Sequence, residues 1–129
     1  MKRVIAILLA SVVCIFAFAA CTSQESTKNV EVFIINRIDD ETLSDTLSLP
    51  DASAAGEYFR QLCNKNDFEI VGIDEGYVTR VEGLENNDTN AWMFYVNGEL
   101  CDVGVKDYVP ADGDKIELIY LDWTQISFE

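Results

Sequence analysis

The segment Trp92–Val105, WMFYVNGELCDVGV, restricts the folds open to this chain more than any other part of it. Large residues, three of them aromatic, run from Trp92 through Val96 into Asn97-Gly98. Asn-Gly between apolar runs is a strong hairpin signal, because both central positions of a tight hairpin turn need positive φ. Side chains on a strand alternate between faces, so Trp92, Phe94 and Val96 point one way and Met93 and Tyr95 the other. Bulk on both faces means that one face is core. The other is a second core, a binding surface, or a cover for something outside the domain.

The N-terminus has a separate character. Lys2 and Arg3 precede an unbroken apolar stretch, Val4 to Phe18, and the small pair Ala19-Ala20. That is a secretory signal, shorter than the ~20 residues of a membrane span. Phe18-Ala19-Ala20-Cys21 resembles a bacterial lipobox, in which cleavage precedes a lipid-modified cysteine; Phe18 stands where Leu is usual and keeps the apolar character. Residues 1–20 are therefore expected to be a lipoprotein signal and Cys21 the lipidated residue, in an extracytoplasmic, membrane-anchored protein of the cell envelope. Residues 21–28 have no large apolar side chain and read as a tether, leaving 29–129 as one domain.

The chain has 23 acidic and 9 basic residues, a formal net charge of −14, and no histidine. Loss of Lys2 and Arg3 with the signal would lower that charge by a further two units. Such a surface repels nucleic acid. Without histidine, general-base catalysis and zinc binding lose their commonest residue. No nucleophile elbow or P-loop is present, and neither Asp39-Asp40-Glu41 nor Asp112-Gly113-Asp114 fits a calcium loop. The expectation is a protein that is not an enzyme, has no metal and needs no cofactor. Cys63 and Cys101 lie far apart in sequence. They either pair outside the cytoplasm, which would contribute ~3–4 kcal/mol, or remain two buried thiols.

Alternation predicts a strand over 29–38, with Val30, Val32, Ile34 and Ile38 on one face and Phe33 and Ile35 on the other. A half-exposed strand over 41–49 forms a hairpin with it. A helix follows to about Lys65, capped by Asp51 or Ser53, with Ala55, Phe59, Leu62 and Cys63 on one stripe. Gly56 costs ~1 kcal/mol there relative to Ala, and close approach of the helix to the sheet is the expected compensation. Strands are predicted over 68–73, 77–82 and 115–121, besides the opening segment. The order is roughly β-β-α-β-β-β, an α+β two-layer domain with a mixed sheet packed on one helix.

From Gly76 onward the chain resembles a known family. Gly76-Tyr77-Val78, Trp92, Val96-Asn97-Gly98, Gly104-Val105, Asp107-Tyr108 and Gly113-Asp114 occur in the order and spacing of the transcobalamin-like C-terminal domain. That domain occurs in bacterial surface lipoproteins and at the end of transcobalamin and intrinsic factor. The resemblance implies a β-grasp-like sheet embracing one helix. In the animal carriers the domain closes one side of a cobalamin site whose other side is a larger helical domain. Cobalamin thus enters here as a ligand, not a cofactor.

Two readings follow. In the first, a lipid-anchored binding module captures a corrinoid or another bulky small molecule for uptake, through Tyr77, Trp92, Tyr95 and Leu100. Aromatics suit such ligands because they bury much area with few rotamers to freeze. In the second, the domain is a protein-interaction or structural module of the cell surface, acting with a separate partner lobe.

Overall fold

In the computed structural model, described for residues 26–126, the β1 strand (Thr27–Asn36) buries Val30, Val32 and Ile34 and leaves Phe33 and Ile35 half-buried on its other side. It begins two residues inside the segment read as a tether. Ile38 does not share the inner face. It lies in the turn that follows and is half exposed, because the Asn36 carboxamide ends the strand by accepting from the N–H groups of Ile38 and Asp39. The β2 strand (Glu41–Pro50) returns antiparallel in register, Val30 facing Leu47 and Ile34 facing Leu43.

The α1 helix (Ala55–Lys65) buries Ala55, Gly56, Tyr58, Phe59, Leu62 and Cys63. Neither Asp51 nor Ser53 caps it. The N-cap is Ala54, whose side chain has no capping group. The free N–H groups of the first turn are satisfied from afar instead: Ala55 donates to the Tyr108 carbonyl and Gly56 to the Val105 carbonyl, both at 2.8 Å. Gly56 allows this approach. A Cβ there would stand 2.5 Å from Ile73 Cγ2 and 3.4 Å from the Val105 carbonyl oxygen. The close partner is therefore a loop and not the sheet.

The two strands expected between helix and opening segment are much shorter. The β3 strand (Ile70–Val71), β4 (Arg80–Val81) and β5 (Leu84–Glu85) form a small antiparallel sheet of their own. A single 3₁₀ turn at Ile73–Glu75 interrupts the first predicted strand. The β4–β5 turn is Glu82-Gly83, with φ of 49° and 80°. Glutamate rarely takes positive φ, which is why no turn is legible there.

The β6 strand (Asn90–Val96) turns at Asn97-Gly98 (φ 51° and 86°) into β7 (Glu99–Leu100), pairing Tyr95 with Leu100 and Val96 with Glu99. The β8 strand (Lys115–Asp122) completes the main sheet, ordered β2-β1-β8-β6-β7. β8 lies parallel to β1 and antiparallel to β6. Paired on both sides and central, it is buried from Ile116 to Leu121. The architecture is the expected mixed sheet packed on one helix, with a small second sheet beside it. Trp92 and Phe94 face the helix layer: the Phe59 and Phe94 rings meet edge to face at 5.8 Å. Met93 and Tyr95 face away, in register with Ile119 and Glu117. No helix among the described residues is long and apolar enough to cross a membrane. The signal and Cys21 lie outside the described residues.

Candidate functional site

β7 is only two residues long, so it pairs with β6 at Tyr95 and Val96 and leaves the first part of that strand with an open edge. The chain guards this edge with side chains in place of a strand. The Asn86 carboxamide accepts from the Trp92 N–H at 2.8 Å. The Trp92 indole N–H donates to the Leu84 carbonyl at 2.9 Å, and its ring tilts against Tyr120 at 5.0 Å. These bonds hold a large side chain in one orientation at the sheet margin.

Two loops flank the open edge. One contains Gly76 (φ 97°), which closes the 3₁₀ turn, and Tyr77, whose side chain stands 73% exposed. The other contains Cys101 to Val105. They touch where Val105 N–H donates to the Gly76 carbonyl at 3.1 Å, and a Cβ on Gly104 would lie 2.3 Å from that same oxygen. Only glycine fits at this crossing. Between the loops lies a cleft of about 160 Å³, with Tyr77, Trp92, Phe94, Leu100 and Cys101 among its walls.

Three of the four residues singled out in the sequence, Tyr77, Trp92 and Leu100, thus meet at one cleft. Tyr95 does not. It is not among the cleft walls, although its cross-strand partner Leu100 and its same-face neighbour Met93 are. Val103 and the Asn86 clamp carry no signal of a site in the sequence. The Gly104-Val105 match was the one signal that pointed to this loop. A larger hollow of about 290 Å³ lies on the other side of Trp92.

The two cysteines are free thiols. Cys63 is fully buried in the core face of α1, and burial, with the Glu82 charge adding to it, pushes its thiol up to about 11. Cys101 is partly exposed in the cleft wall. Asp114 is a structural hub. Burial raises its carboxyl, but donors from Asn97, the Ala111 N–H and Tyr108 outweigh that and hold it below the usual carboxylate range. Burial, then the bond to Asp114, pushes the Tyr108 phenol up to about 12. Among the described residues no group of three or more acidic or cysteine side chains is placed to hold a metal ion. The cleft offers mainly apolar and aromatic walls, with Cys101 and Asp102 beside them, a surface suited to binding.

A family of proteins described as a domain of unknown function, DUF4430, matches residues 56–122, more than half of the chain. The chain belongs to that family. The matched span of this DUF4430 chain starts in α1, holds both cleft loops and ends with β8, so it covers the candidate site and leaves out β1 and β2. Among solved structures, haptocorrin in complex with Cbi is similar with a TM-score of 0.66 at 21% identity, covering 78% of this chain and 26% of that one. The DUF4430 chain thus spans about a quarter of the haptocorrin chain. A suspected metal binding protein from Ruminococcus gnavus ATCC 29149 is similar with a TM-score of 0.53 at 21% identity, over 74% of this chain and 97% of that one. At these identities the likeness is one of fold, and it agrees with the transcobalamin-like C-terminal domain expected from the sequence. No curated protein matches the DUF4430 chain significantly.

Proposed function

We propose that this chain is a lipid-anchored, extracytoplasmic binding domain that supplies one wall of a site for a bulky, partly apolar small molecule. A corrinoid is the class to test. The observation that carries the reading is the cleft in which exposed Tyr77 stands beside a rigidly held Trp92 and Leu100. At about 160 Å³ it is smaller than the ~300–1,000 Å³ of pockets that enclose a ligand. It suits the edge of a large molecule, with a second lobe closing the other side. The fold's likeness to a quarter of haptocorrin in complex with Cbi supports this division. The run Phe18-Ala19-Ala20-Cys21 supports the anchor on Cys21, which radiolabelled palmitate incorporation should report in the wild type and not in Cys21→Ala.

The test is calorimetric titration of the purified chain with cobinamide and with cobalamin. Saturable heat is expected, with affinity weakened about tenfold in Tyr77→Ala, the loss of one exposed aromatic contact. Tyr77 contributes little to the core, so the variant should melt with the wild type. No heat at millimolar ligand would sink the corrinoid reading. A stable protein partner recovered without any small molecule would favour the interaction module instead, with the outward face of Met93 and Tyr95 as its contact surface.

A further inference from the structure

The larger hollow has a different chemistry from the cleft at Tyr77 and does not depend on the function proposed for it. It opens past the end of α1, between the tip of the β1–β2 hairpin and the small sheet, and no residue of α1 lines it. Its floor is apolar: Ile34, Leu43, Phe68, Val81, Leu84 and Trp92. Its rim carries three carboxylates, Asp39, Glu41 and Glu82, and no lysine or arginine. Some acidic groups elsewhere on the surface are matched, as in the ion pairs of Arg80 with Glu69 and Glu85 and of Arg60 with Glu57 and Asp74. Among the described residues none of the three rim carboxylates is in an ion pair. Asp39 accepts from the Asn36 carboxamide at 3.0 Å and Glu82 from the Glu69 N–H at 3.3 Å, each through one oxygen.

We propose that this hollow binds a compact organic cation, with an ammonium or guanidinium head among Asp39, Glu41 and Glu82 and a hydrocarbon or aromatic body on the floor beneath. Its volume of about 290 Å³ lies near the ~300 Å³ lower end for small-molecule sites. A bare metal ion is the poorer match. The carboxylates are not gathered into a metal-holding group, and an ion gains nothing from six apolar floor residues. The two parts of the site have different roles. Burial of the ligand's body, at ~25 cal/mol per Å², supplies the affinity. Exposed carboxylates are individually weak partners, so the rim supplies selectivity for positive charge. The chain's net charge of −14 draws cations to the mouth.

The experiment uses three probes with the same ring and chain length and different heads: phenethylammonium, 2-phenylethanol and phenylacetate. Trp92 forms one wall and is one of two tryptophans, so the Trp123→Phe chain reports binding through Trp92 fluorescence alone. The expected result is saturable binding, with the ammonium at least about tenfold tighter than the alcohol and phenylacetate weakest. In Asp39→Asn/Glu41→Gln the ammonium should fall to the affinity of the alcohol, while the alcohol is unchanged. If the double variant melts early, Glu41→Gln alone serves, because the Glu41 side chain makes no hydrogen bond within the described residues and the substitution leaves its backbone pairing with Asn36 intact. Equal affinity for all three probes, no saturation at tens of millimolar, or a preference for ammonium that survives both variants would overturn the proposal.

Discussion

Cys63 and Cys101 have the same side chain and opposite surroundings. Cys63 is fully buried on the core face of α1, and a thiol raised to about 11 carries almost no thiolate near neutrality. Cys101 is partly exposed in the cleft wall. Alkylation of the native chain at pH 8, mapped by peptide mass, should therefore label Cys101 and spare Cys63 until denaturant is added. Equal labelling of both in the native state would mean that the helix face is open to solvent. Protection of Cys101 by a bound corrinoid would also place that ligand in the cleft. At this scale sequence reasoning could name both cysteines but not separate a pair from two thiols. That distinction depends on where a helix and a distant loop come to rest.

At the scale of elements, the Asn97-Gly98 turn does more than reverse the chain. Asn97 Oδ1 accepts from the Lys115 N–H and Nδ2 donates to Asp114, both at 2.9 Å, so the turn fixes the start of β8 as well as joining β6 to β7. Asn97→Ala loses both bonds and puts alanine at φ 51°. It should cost ~3–4 kcal/mol, from two hydrogen bonds of ~1 kcal/mol each and ~1–2 kcal/mol of left-handed backbone strain. Asn97→Gly loses the bonds and keeps the conformation, so it should cost less. Urea denaturation of both variants checks the order. Equal losses would show that backbone conformation contributes nothing here. The turn and its flanking strands were legible because Asn-Gly and apolar alternation are local signals. The cap of α1 was not legible. Its acceptors are the carbonyls of Val105 and Tyr108, about fifty residues away, and carbonyls carry no sequence signature.

For the whole molecule, the shifted groups set how stability follows pH. Cys63 and Tyr108 are both raised, from 9.0 to about 11 and from 10.0 to about 12. A raised acid holds its proton longer folded than unfolded, so its contribution is complete below the unfolded value and is lost as pH climbs to the folded one. The urea midpoint should hold from neutral pH to about 9 and fall steadily above it. In Tyr108→Phe the chain starts less stable, and the part of the decline above about 10 should shrink. Asp114 acts in the opposite direction. Its carboxyl is lowered, so its contribution is present above 3.8 and lost as pH falls through its folded value. An alkaline decline unchanged in Tyr108→Phe would remove the phenol from this account.

Alternation along β1, β2, β6 and β8, the apolar stripe of α1 and the Asn97-Gly98 turn together determined the α+β class and that Trp92 and Phe94 share one face of their strand while Met93 and Tyr95 share the other. These are consequences of backbone periodicity, which repeats every two or 3.6 residues and is written into the chain locally. The motif run from Gly76 to Asp114 also placed the chain within a fold. The rest was decided by tertiary structure. Whether Tyr95 joins Tyr77 depends on where along the β6 edge the 76–78 and 101–105 loops come to rest, and they enclose Trp92, Met93, Phe94 and Leu100 but not Tyr95. The hollow beneath Asp39, Glu41 and Glu82 exists because α1 stops at Lys65, short of the hairpin tip. A cavity is the space that elements fail to cover, and that space depends on their lengths and packing together, not on any residue read alone.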